Sequence, residues 1–449
     1  PPAYVITLLG EEPFFQSKLT VDFRGGAMTT DPGLLLLREF DHRLGLTRSF
    51  DRLVEDSRDG RYIEHPIEHL LRQRVYQIAA GYEDAIDANL LRFDPTFQVL
   101  VDPEGSGDPL ATQSTFSRLE NAVTWADIRR AADLSLQWFL RHGKKFRRSE
   151  DQEILLDADS TDDPTHGHQQ LALFHGKYNT YMYHPLLIFE GHTGHLLASK
   201  LRPGTATDKE GVVPELRRMI PSLRRTFPDA PVAFRADAGF ASPKLYDFLE
   251  KQKIAYLVGI PHYKGFRPHT RALRRRAENR FERTGRPVRI YSSFFYRARS
   301  WPHRRRILVK VEVNAEGTNT RCLITNRKGR ASELFALYNR RGEIENRIDE
   351  LKNDLKADRL SCSRYRANAF RLQLHNLAYN LMHLFRHWMH GTALQRAETS
   401  TIRLRLFKVG ARIIRTVRRI WFHLASGWPN RDLFLQAHQA IRRRTPGFG

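Results

Sequence analysis

The feature that most constrains the fold is a change in the apolar pattern near residue 152. Before it, in 31–145, apolar residues recur at three-and-four spacing, which predicts amphipathic helices. After it, the short apolar runs "EILLDAD", "PVAFRAD" and "IAYLVGI" alternate with helical stretches, and "HPLLIFE" and "GHLLASKL" flank the turn signal "GHTG". This order predicts a helical N-terminal domain at 1–150, followed by an α/β domain with a mixed sheet.

A strongly basic segment interrupts the α/β pattern. Residues 262–330 hold a run of arginines and then three alternating stretches, "RIYSSFFYRAR", "RRILVKVEVNA" and "TRCLITN", which predict antiparallel strands. We therefore expect a β-rich basic insertion at 262–330, within a catalytic domain formed by 151–261 and 331–385. The region 386–449 is predicted to be helical and basic.

The chain carries a large excess of positive charge. Its 449 residues have a formal net charge of +23, and arginine dominates both the insertion and the tail after residue 400. Such a charge favours a polyanionic partner, because the forked guanidinium group suits contacts with phosphate. A basic surface that only keeps the chain in solution is the alternative. DNA contacts are expected from these residues of the insertion: Arg274, Arg275, Trp301, Arg304 and Arg305.

Several classes of protein are disfavoured by what the sequence contains. The two cysteines, Cys322 and Cys362, exclude a disulfide framework and predict a reducing compartment. No apolar run approaches the roughly 20 residues needed to span a bilayer, so no membrane partner is expected. Residues 1–15 lack the basic start of a signal peptide. His166 and His168 lack convincing partners for a zinc site, and structural or DNA-contacting roles are expected for the histidines.

Carboxylates follow two of the predicted strands. Asp157 and Asp159 end the first strand two residues apart, so both project from one face, and Asp237 ends a later strand. Ligands commonly bind at the ends of strands in α/β sheets, and converging carboxylates suit Mg²⁺ or Mn²⁺. Two such ions can activate a water and stabilise the leaving oxygen in phosphodiester cleavage. For any one of these aspartates alone, a role in forming a turn is the alternative.

A charged stretch at 338–356, "YNRRGEIENRIDELKNDLK", is predicted to lie in one helix at about 332–357. On a helical wheel, four polar residues share a stripe about 60° wide beside an apolar stripe: Tyr338, Arg341, Glu345 and Lys352. Such a stripe can present a carboxylate metal ligand between phosphate-binding side chains. A surface helix with an Arg341–Glu345 ion pair is the alternative. Glu343 and Glu350 point away from the stripe and are predicted bystanders.

The spacing Tyr338-x2-Arg341-x3-Glu345-x6-Lys352 resembles the Tyr-Arg-Glu-Lys signature of bacterial insertion-sequence transposases, which have an RNase H-like DDE catalytic domain. The stretches "LLDADSTDDPTHGHQ", "YHPLLIFEGHTGHLLASKLRPG" and "FRADAGFAS" resemble the insertion sequence 1380 group in particular. By motif, the resemblance covers roughly 110–385. It implies that Tyr338, Arg341 and Lys352 contact the DNA of the transposon ends.

The resemblance also implies a catalytic triad. Asp237 corresponds to the second catalytic Asp and Glu345 to the catalytic Glu. Asp159 is preferred as the first, because Asp159-Ser160-Thr161 resembles an Asp-Thr-Thr motif of related transposases, and Asp157 is the fallback. Asp162 and Asp163 lie beyond the strand and are weaker candidates.

The function implied by the resemblance is that of a DNA transposase in the bacterial cytoplasm, associated with the nucleoid. It would bind the inverted-repeat ends of its element, cleave them by metal-dependent phosphodiester hydrolysis and join the 3′-OH to target DNA by transesterification. Two Mg²⁺ or Mn²⁺ ions would be held by Asp159, Asp237 and Glu345, and a homodimer would form on the double-stranded DNA of the ends and target. Two alternatives stay open: a transposase-derived DNA-binding protein without catalysis, and a metal-dependent DNA nuclease.

Overall fold

The computed structural model describes residues 6–7, 20–21, 23–104, 107–147 and 153–443. Its helices are α1 (Leu34–Leu44), α2 (Ile67–Ala80), α3 (Ala88–Leu91), α4 (Pro95–Val101), α5 (Gln113–Ala122), α6 (Trp125–Phe146), α7 (Val212–Thr226), α8 (Pro243–Lys251), α9 (Arg267–Thr284), α10 (Ala331–Asn339), α11 (Gly342–Asp349), α12 (Tyr365–Trp388), α13 (Thr399–Ile402) and α14 (Arg431–Arg443). Short 3₁₀ helices lie at Thr47–Arg52, Gly60–Tyr62, Ala85–Asp87, Ala238–Phe240 and Lys264–Phe266, and π-helical turns at Glu350–Asp354 and Arg403–Phe407.

The strands are β1 (Ile6–Thr7), β2 (Thr20–Val21), β3 (Met28–Thr29), β4 (Ile154–Ser160), β5 (Asp163–Pro164), β6 (Leu173–His175), β7 (Thr180–Tyr183), β8 (Leu186–Glu190), β9 (Leu196–Lys200), β10 (Val232–Ala236), β11 (Ala255–Ile260), β12 (Val288–Tyr296), β13 (Arg305–Asn314), β14 (Gly317–Thr325), β15 (Ala411–Arg415) and β16 (Ile420–Leu424). Within the described ranges, no helix has the length and apolar composition that crossing a bilayer requires. The residues examined for a signal peptide, 1–15, lie outside these ranges apart from 6–7.

The chain forms two compact units that do not follow the predicted division at 150. Unit 1 comprises Pro1–Ala122 and Leu381–Gly449, and unit 2 comprises Val123–Asn380. Helix α6 belongs to unit 2, where it packs against β9 and α7. The predicted boundary itself falls among residues 148–152, which are outside the described ranges.

Unit 1 is built around helices α1, α2 and α4, as the three-and-four spacing of this region predicts. The Phe40 ring of α1 packs edge-on against Phe385 and Trp388 of the C-terminal part, with ring centroids 5.5 and 5.6 Å away. The prediction that 386–449 is helical is wrong at 411–424. There β15 and β16 form a hairpin and β15 pairs with β3, because "ARIIR" alternates buried and exposed residues with the period of a strand.

Unit 2 contains one eight-stranded sheet with the order β12-β13-β14-β11-β10-β4-β8-β9. Strand β10 runs parallel to both β4 and β11, and the other pairs are antiparallel. The predicted α/β class with a mixed sheet is therefore confirmed, as are the β8–β9 hairpin and the three antiparallel strands of 262–330. Those three strands extend the main sheet through the β11–β14 pair, because their alternating apolar residues continue its buried faces.

The two faces of this sheet are covered by different helices. In β13, Ile307, Val309 and Val311 lie in the larger apolar core with residues of α6, α7, α8 and α9. Leu308 points the other way and packs with Leu334 of α10. Helix α9 was not predicted, since its sequence is dominated by arginine and only a narrow strip of it is buried.

The region 331–354, which contains most of the charged stretch, forms three segments where the sequence predicts one helix. Helix α10 ends at Asn339, α11 begins at Gly342, and a π-helical turn occupies Glu350–Asp354. The break falls at Arg340–Arg341, beside a glycine, the residue that after proline stabilises helices least. The apolar stripe persists across the break, because Ile344, Leu351 and Leu355 are buried.

Candidate active site

Two adjacent parallel strands bring Asp159 and Asp237 side by side. In the β4–β10 register Ala158 lies opposite Ala236, and each aspartate is the next residue of its chain. Both therefore follow the same level of the sheet at the carboxyl ends of these strands, on the face that α10 covers. The structure thus joins two of the three predicted catalytic carboxylates.

Asp159 carries a carboxyl group in a crowded, acidic environment. Burial raises its pKa to about 6, and the Asp237 and Asp208 carboxylates add to this, whereas the Arg341 guanidinium opposes it. The Arg341 Nη2 atom lies 2.5 Å from Asp159 Oδ2, and the Ser160 backbone N–H donates to Oδ1 at 2.9 Å. The Arg341 guanidinium thus compensates the charge of Asp159, and neighbouring carboxylates at this edge suit a divalent cation.

Glu345 reaches the aspartate pair only through Arg341. The Arg341 Nη1 atom lies 3.4 Å from Glu345 Oε1, and the Glu345 side chain is 65% exposed. Among the described residues, no three carboxylate, histidine or cysteine side chains converge closely enough to hold a metal ion. The donor set Asp159 and Asp237 fits a hard cation, and Glu345 of α11 is linked to Asp159 through Arg341.

Tyr338 lines the same edge. A Cβ atom built on Gly259 of β11 would lie 3.0 Å from the Tyr338 hydroxyl oxygen and would overlap the Asp237–Ala238 backbone, so only glycine lets these segments approach. Burial raises the pKa of Tyr338, and the carboxylates of Asp237 and Asp159 add to the effect. Tyr338 and Arg341 therefore both lie beside the aspartate pair.

Asp208 is a further acid at this edge that the sequence analysis missed. The Asp208 carboxylate lies against Gly239, in the turn that follows Asp237. A side chain in place of this glycine would overlap the carboxylate. Arg202 holds the loop by donating to the backbone carbonyls of Thr207 and Asp208 at 2.9 and 3.0 Å. In the same loop, the Thr207 backbone N–H and hydroxyl donate to Glu210 Oε1 at 2.9 and 2.8 Å.

Asp157, the fallback for the first catalytic aspartate, is part of a buried ion pair. Its two carboxylate oxygens accept from Arg235 Nε and Nη2 at 2.6 and 2.5 Å, and its exposed fraction is 1%. Arg235 also donates to the Leu337 carbonyl at the end of α10, at 2.5 Å. Asp157 does point to the same face as Asp159, but its oxygens are occupied, so the structure favours Asp159.

Lys352, the last residue of the four-residue stripe, lies apart from the aspartate pair. Its Nζ atom is 2.9 Å from Asp162 Oδ1. The neighbouring Asp163 is buried, and burial, followed by the Asp358 carboxylate, raises its pKa well above the usual range. Asp162 and Asp163 therefore form a separate group beside Lys352.

The predicted DNA-binding residues of 262–330 separate into exposed and buried sets. Arg275 and Arg304 are exposed, and Arg274 is half-buried beside Glu278. Arg305 and Trp301, in contrast, are 2% and 6% exposed. Neither side chain is available to DNA, so both predictions need correction.

The burial of these two residues has a local cause. Arg305 pairs with the carboxylates of Glu250 and Asp247, and its guanidinium lies 5.5 Å from the ring centroid of Trp301. Trp301 in turn packs edge-on against Tyr246. A cation enclosed by two acids and an aromatic ring is a structural element of the core, although the sequence shows it within a basic run.

The chain matches a family model and several solved structures. A family model described as "Transposase DDE domain group 1" matches residues 11–446. No curated protein matches the chain. Among the solved structures that match is "Cryo-EM structure of piggyBac transposase synaptic complex with hairpin DNA (SNHP)", which is 16% identical over 84% of this chain and 79% of that chain, with a TM-score of 0.43.

Proposed function

The chain belongs to the DDE-domain transposase family, and from this premise we propose that it is a DNA transposase acting on the ends of its own element. It binds inverted-repeat ends, hydrolyses the phosphodiester bond there and joins the 3′-OH to target DNA by transesterification. The observation that carries the proposal is the pair Asp159 and Asp237 at the ends of β4 and β10, with Glu345 one arginine away.

The finer assignment follows the predicted signature. We propose membership of the insertion sequence 1380 group, with unit 2 as an RNase H-like catalytic domain, and a signature formed by Tyr338, Arg341, Glu345 and Lys352. Tyr338 lies beside Asp159 and Asp237. Arg341 pairs with Asp159 and also with Glu345. These contacts support the assignment. Lys352 lies further along the same surface, beside Asp162.

The carboxylates of Asp159, Asp237 and Glu345 would hold the metal ions, which we propose to be two Mg²⁺ or Mn²⁺. When bound, such ions supply an activated water and stabilise the leaving oxygen. Asp159 and Asp237 contribute positions that are fixed by strand register. Arg341 keeps Asp159 oriented through its 2.5 Å contact and has the forked geometry that binds a DNA phosphate.

Double-stranded DNA of the transposon ends and the target is the proposed partner, with a homodimer in the DNA complex. The net charge of +23 supports a polyanionic partner, and the exposed arginines of α9 offer a surface for it. We also propose DNA-binding roles for the helical N-terminal part and for the basic tail, and action at the nucleoid of a bacterial cell.

The experiment that tests this function is metal-dependent nicking. The substrate is a supercoiled plasmid that carries the DNA flanking the coding sequence, incubated with Mg²⁺. Asp237→Asn should abolish nicking and retain binding, whereas Asp229→Asn, the same charge change at an exposed position, should keep both. Full cleavage by the Asp237 variant contradicts the proposal.

The same reactions separate the alternatives. Strand-transfer products are expected from a transposase, and nicking without them indicates a nuclease. Binding without nicking by the wild-type protein indicates a DNA-binding protein that lacks catalysis.

A further inference from the structure

Helix α9 offers a surface that the catalytic residues do not use. Its inner side is fixed to the sheet: Thr270 and Ala277 are buried, and Leu273 and Phe281 pack against the core. The helix contacts β12, β13 and β14. An element held by three strands is a rigid platform, so its outer side keeps one geometry when a partner binds.

The outer side of α9 has a regular pattern. At 3.6 residues per turn, Ala272 and Asn279 lie about 150–170° around the helix from the buried Thr270 and Ala277, so they are its most outward residues. Arginines lie about 50–90° to either side of this line. Arg271 and Arg275 form one row and Arg276 and Arg280 the other, and all four are exposed.

The central line and the two rows differ in chemistry. Ala272 and Asn279 are short and uncharged, whereas the arginines are long and cationic. Together with Pro268 and Arg283 they line an open depression of about 860 Å³. Two acids lie on α9. Glu282 is exposed, whereas Glu278 is half-buried, accepts from the Thr318 hydroxyl at 2.9 Å and lies 3.8 Å from Arg274, which belongs to neither row.

The size of a helix and its two rows of arginine fit the major groove of double-stranded DNA. The major groove of B-form DNA is about 12 Å wide and about 8.5 Å deep and admits an α-helix, whose diameter with side chains is about 10–12 Å. In that position two rows of arginine meet the phosphates of the two strands, and the central residues meet the base edges. The deep, narrow major groove of A-form RNA does not admit a helix.

We propose that α9 binds in the major groove of double-stranded DNA, with the two arginine rows on the phosphate backbones and Asn279 reading a base edge. An asparagine amide is specific for adenine, because its Nδ2 donates to N7 and its Oδ1 accepts from the N6 amino group. The proposal rests on the proposed function for the identity of the partner as DNA, but it does not require catalysis.

The first test measures the phosphate contacts. Arg276→Ala/Arg280→Ala and a control, Arg225→Ala/Arg299→Ala, lose the same charge at exposed positions. With a mixed-sequence 30-base-pair duplex, the α9 variant should lower the slope of log K against log salt by about 1.8 and weaken binding about 30-fold at 0.15 M salt. The control should remain within about threefold of wild type. Equal effects of the two pairs would overturn the proposal.

The second test measures base reading. Asn279→Ala should keep the salt slope of the wild type but lose its preference at one base pair, by about tenfold, in selection from a random duplex library. Glu282→Gln, a neighbouring change, should leave the selected sequence unchanged and strengthen binding. An unaltered sequence preference in the Asn279 variant would overturn insertion into the groove.

The outcomes for α9 and for catalysis are distinguishable. If the wild type nicks DNA and the α9 variants bind normally, the groove proposal fails and the proposed function stands. If the wild type never nicks but the α9 variants lose affinity and base preference, the proposed function fails and the groove proposal stands.

Discussion

Replacing Asp157 by asparagine separates the ion-paired aspartate of β4 from Asp159, the proposed catalytic one. Asp157 is 1% exposed and Arg235 is 2% exposed, and the two share a pair of contacts at 2.5 and 2.6 Å. Asp157→Asn leaves the guanidinium buried with one neutral partner and the Leu337 carbonyl. We expect this variant to lose stability and to keep the catalytic groups.

The expected loss is large because a buried cation loses its counter-charge. Removing one partner of a buried ion pair costs about 3–5 kcal/mol, and the amide oxygen recovers part of it, so about 3 kcal/mol remains. For a unit of this size, 1 kcal/mol lowers Tm by about 2 °C, which gives a decrease of about 6 °C. Asp157→Asn/Arg235→Met should recover much of this, since it leaves no orphaned charge.

Asp159→Asn is the matched comparison, two residues along the same strand. Burial raises the pKa of Asp159 to about 6, so the fold disfavours its charged form, and a neutral amide avoids that cost. We expect a Tm within about 2 °C of wild type and no Mg²⁺-dependent nicking.

The assay is thermal unfolding followed by circular dichroism, together with plasmid nicking below the lowest Tm. Asp157→Asn should nick at a rate within about threefold of wild type at 20 °C, while Asp159→Asn should not nick. The reasoning is refuted if Asp157→Asn has the wild-type Tm and no nicking, since Asp157 would then be the catalytic residue.

Three further predictions concern other residues. Glu345→Gln should abolish nicking and Glu343→Gln should not, as measured on the same plasmid, because only Glu345 joins Arg341. Arg305→Met should lower the free energy of unfolding by about 3 kcal/mol in urea, yet keep DNA affinity within about twofold, because this cation is buried among acids. Burial lowers the pKa of His142 to about 4, so the unfolded chain binds more protons below about pH 6.5, and stability should fall between pH 6.5 and 4 by up to about 3 kcal/mol. His142→Leu should flatten this pH dependence in urea titrations, and exposed His168→Gln should not.

The sequence predicts the position of the aspartates better than their partners. Short apolar runs that end in acids place Asp159 and Asp237 at strand ends, and a parallel pairing makes them neighbours. The Asp157–Arg235 pair joins residues 78 apart in the chain. It depends on a register that alternation of apolar residues does not contain, because alternation determines the face of a residue and leaves its cross-strand partner open.

Basic residues were harder to assign than acidic ones. The run around Trp301 reads as one positive surface, but the pairing of Arg305 with Glu250 draws it into the core. In α9 the basic residues hide the secondary structure instead. This helix has so few buried residues that its helical period cannot be seen among the arginines. The sequence shows that a residue is charged, but the fold determines whether that charge faces solvent or is paired with a buried acid.

Two successive rows of residues in the sheet differ in how their charges are compensated. In the first row Asp157 of β4 lies opposite Arg235 of β10, so the two strands neutralise each other and the row is closed and buried. Two residues on, at the same face, both strands carry an acid, Asp159 and Asp237. Burial and the like charge of Asp237 hold the pKa of Asp159 high, and the Arg341 guanidinium opposes this. Here Arg341, which lies outside the sheet, compensates the charge of Asp159. A bound cation can take the place of this arginine at Asp159 and Asp237, but not at the closed Asp157–Arg235 pair. The change from arginine at 235 in β10 to aspartate at 237, directly after the strand, thus replaces a buried ion pair by two neighbouring acids, of which Asp159 is paired with Arg341.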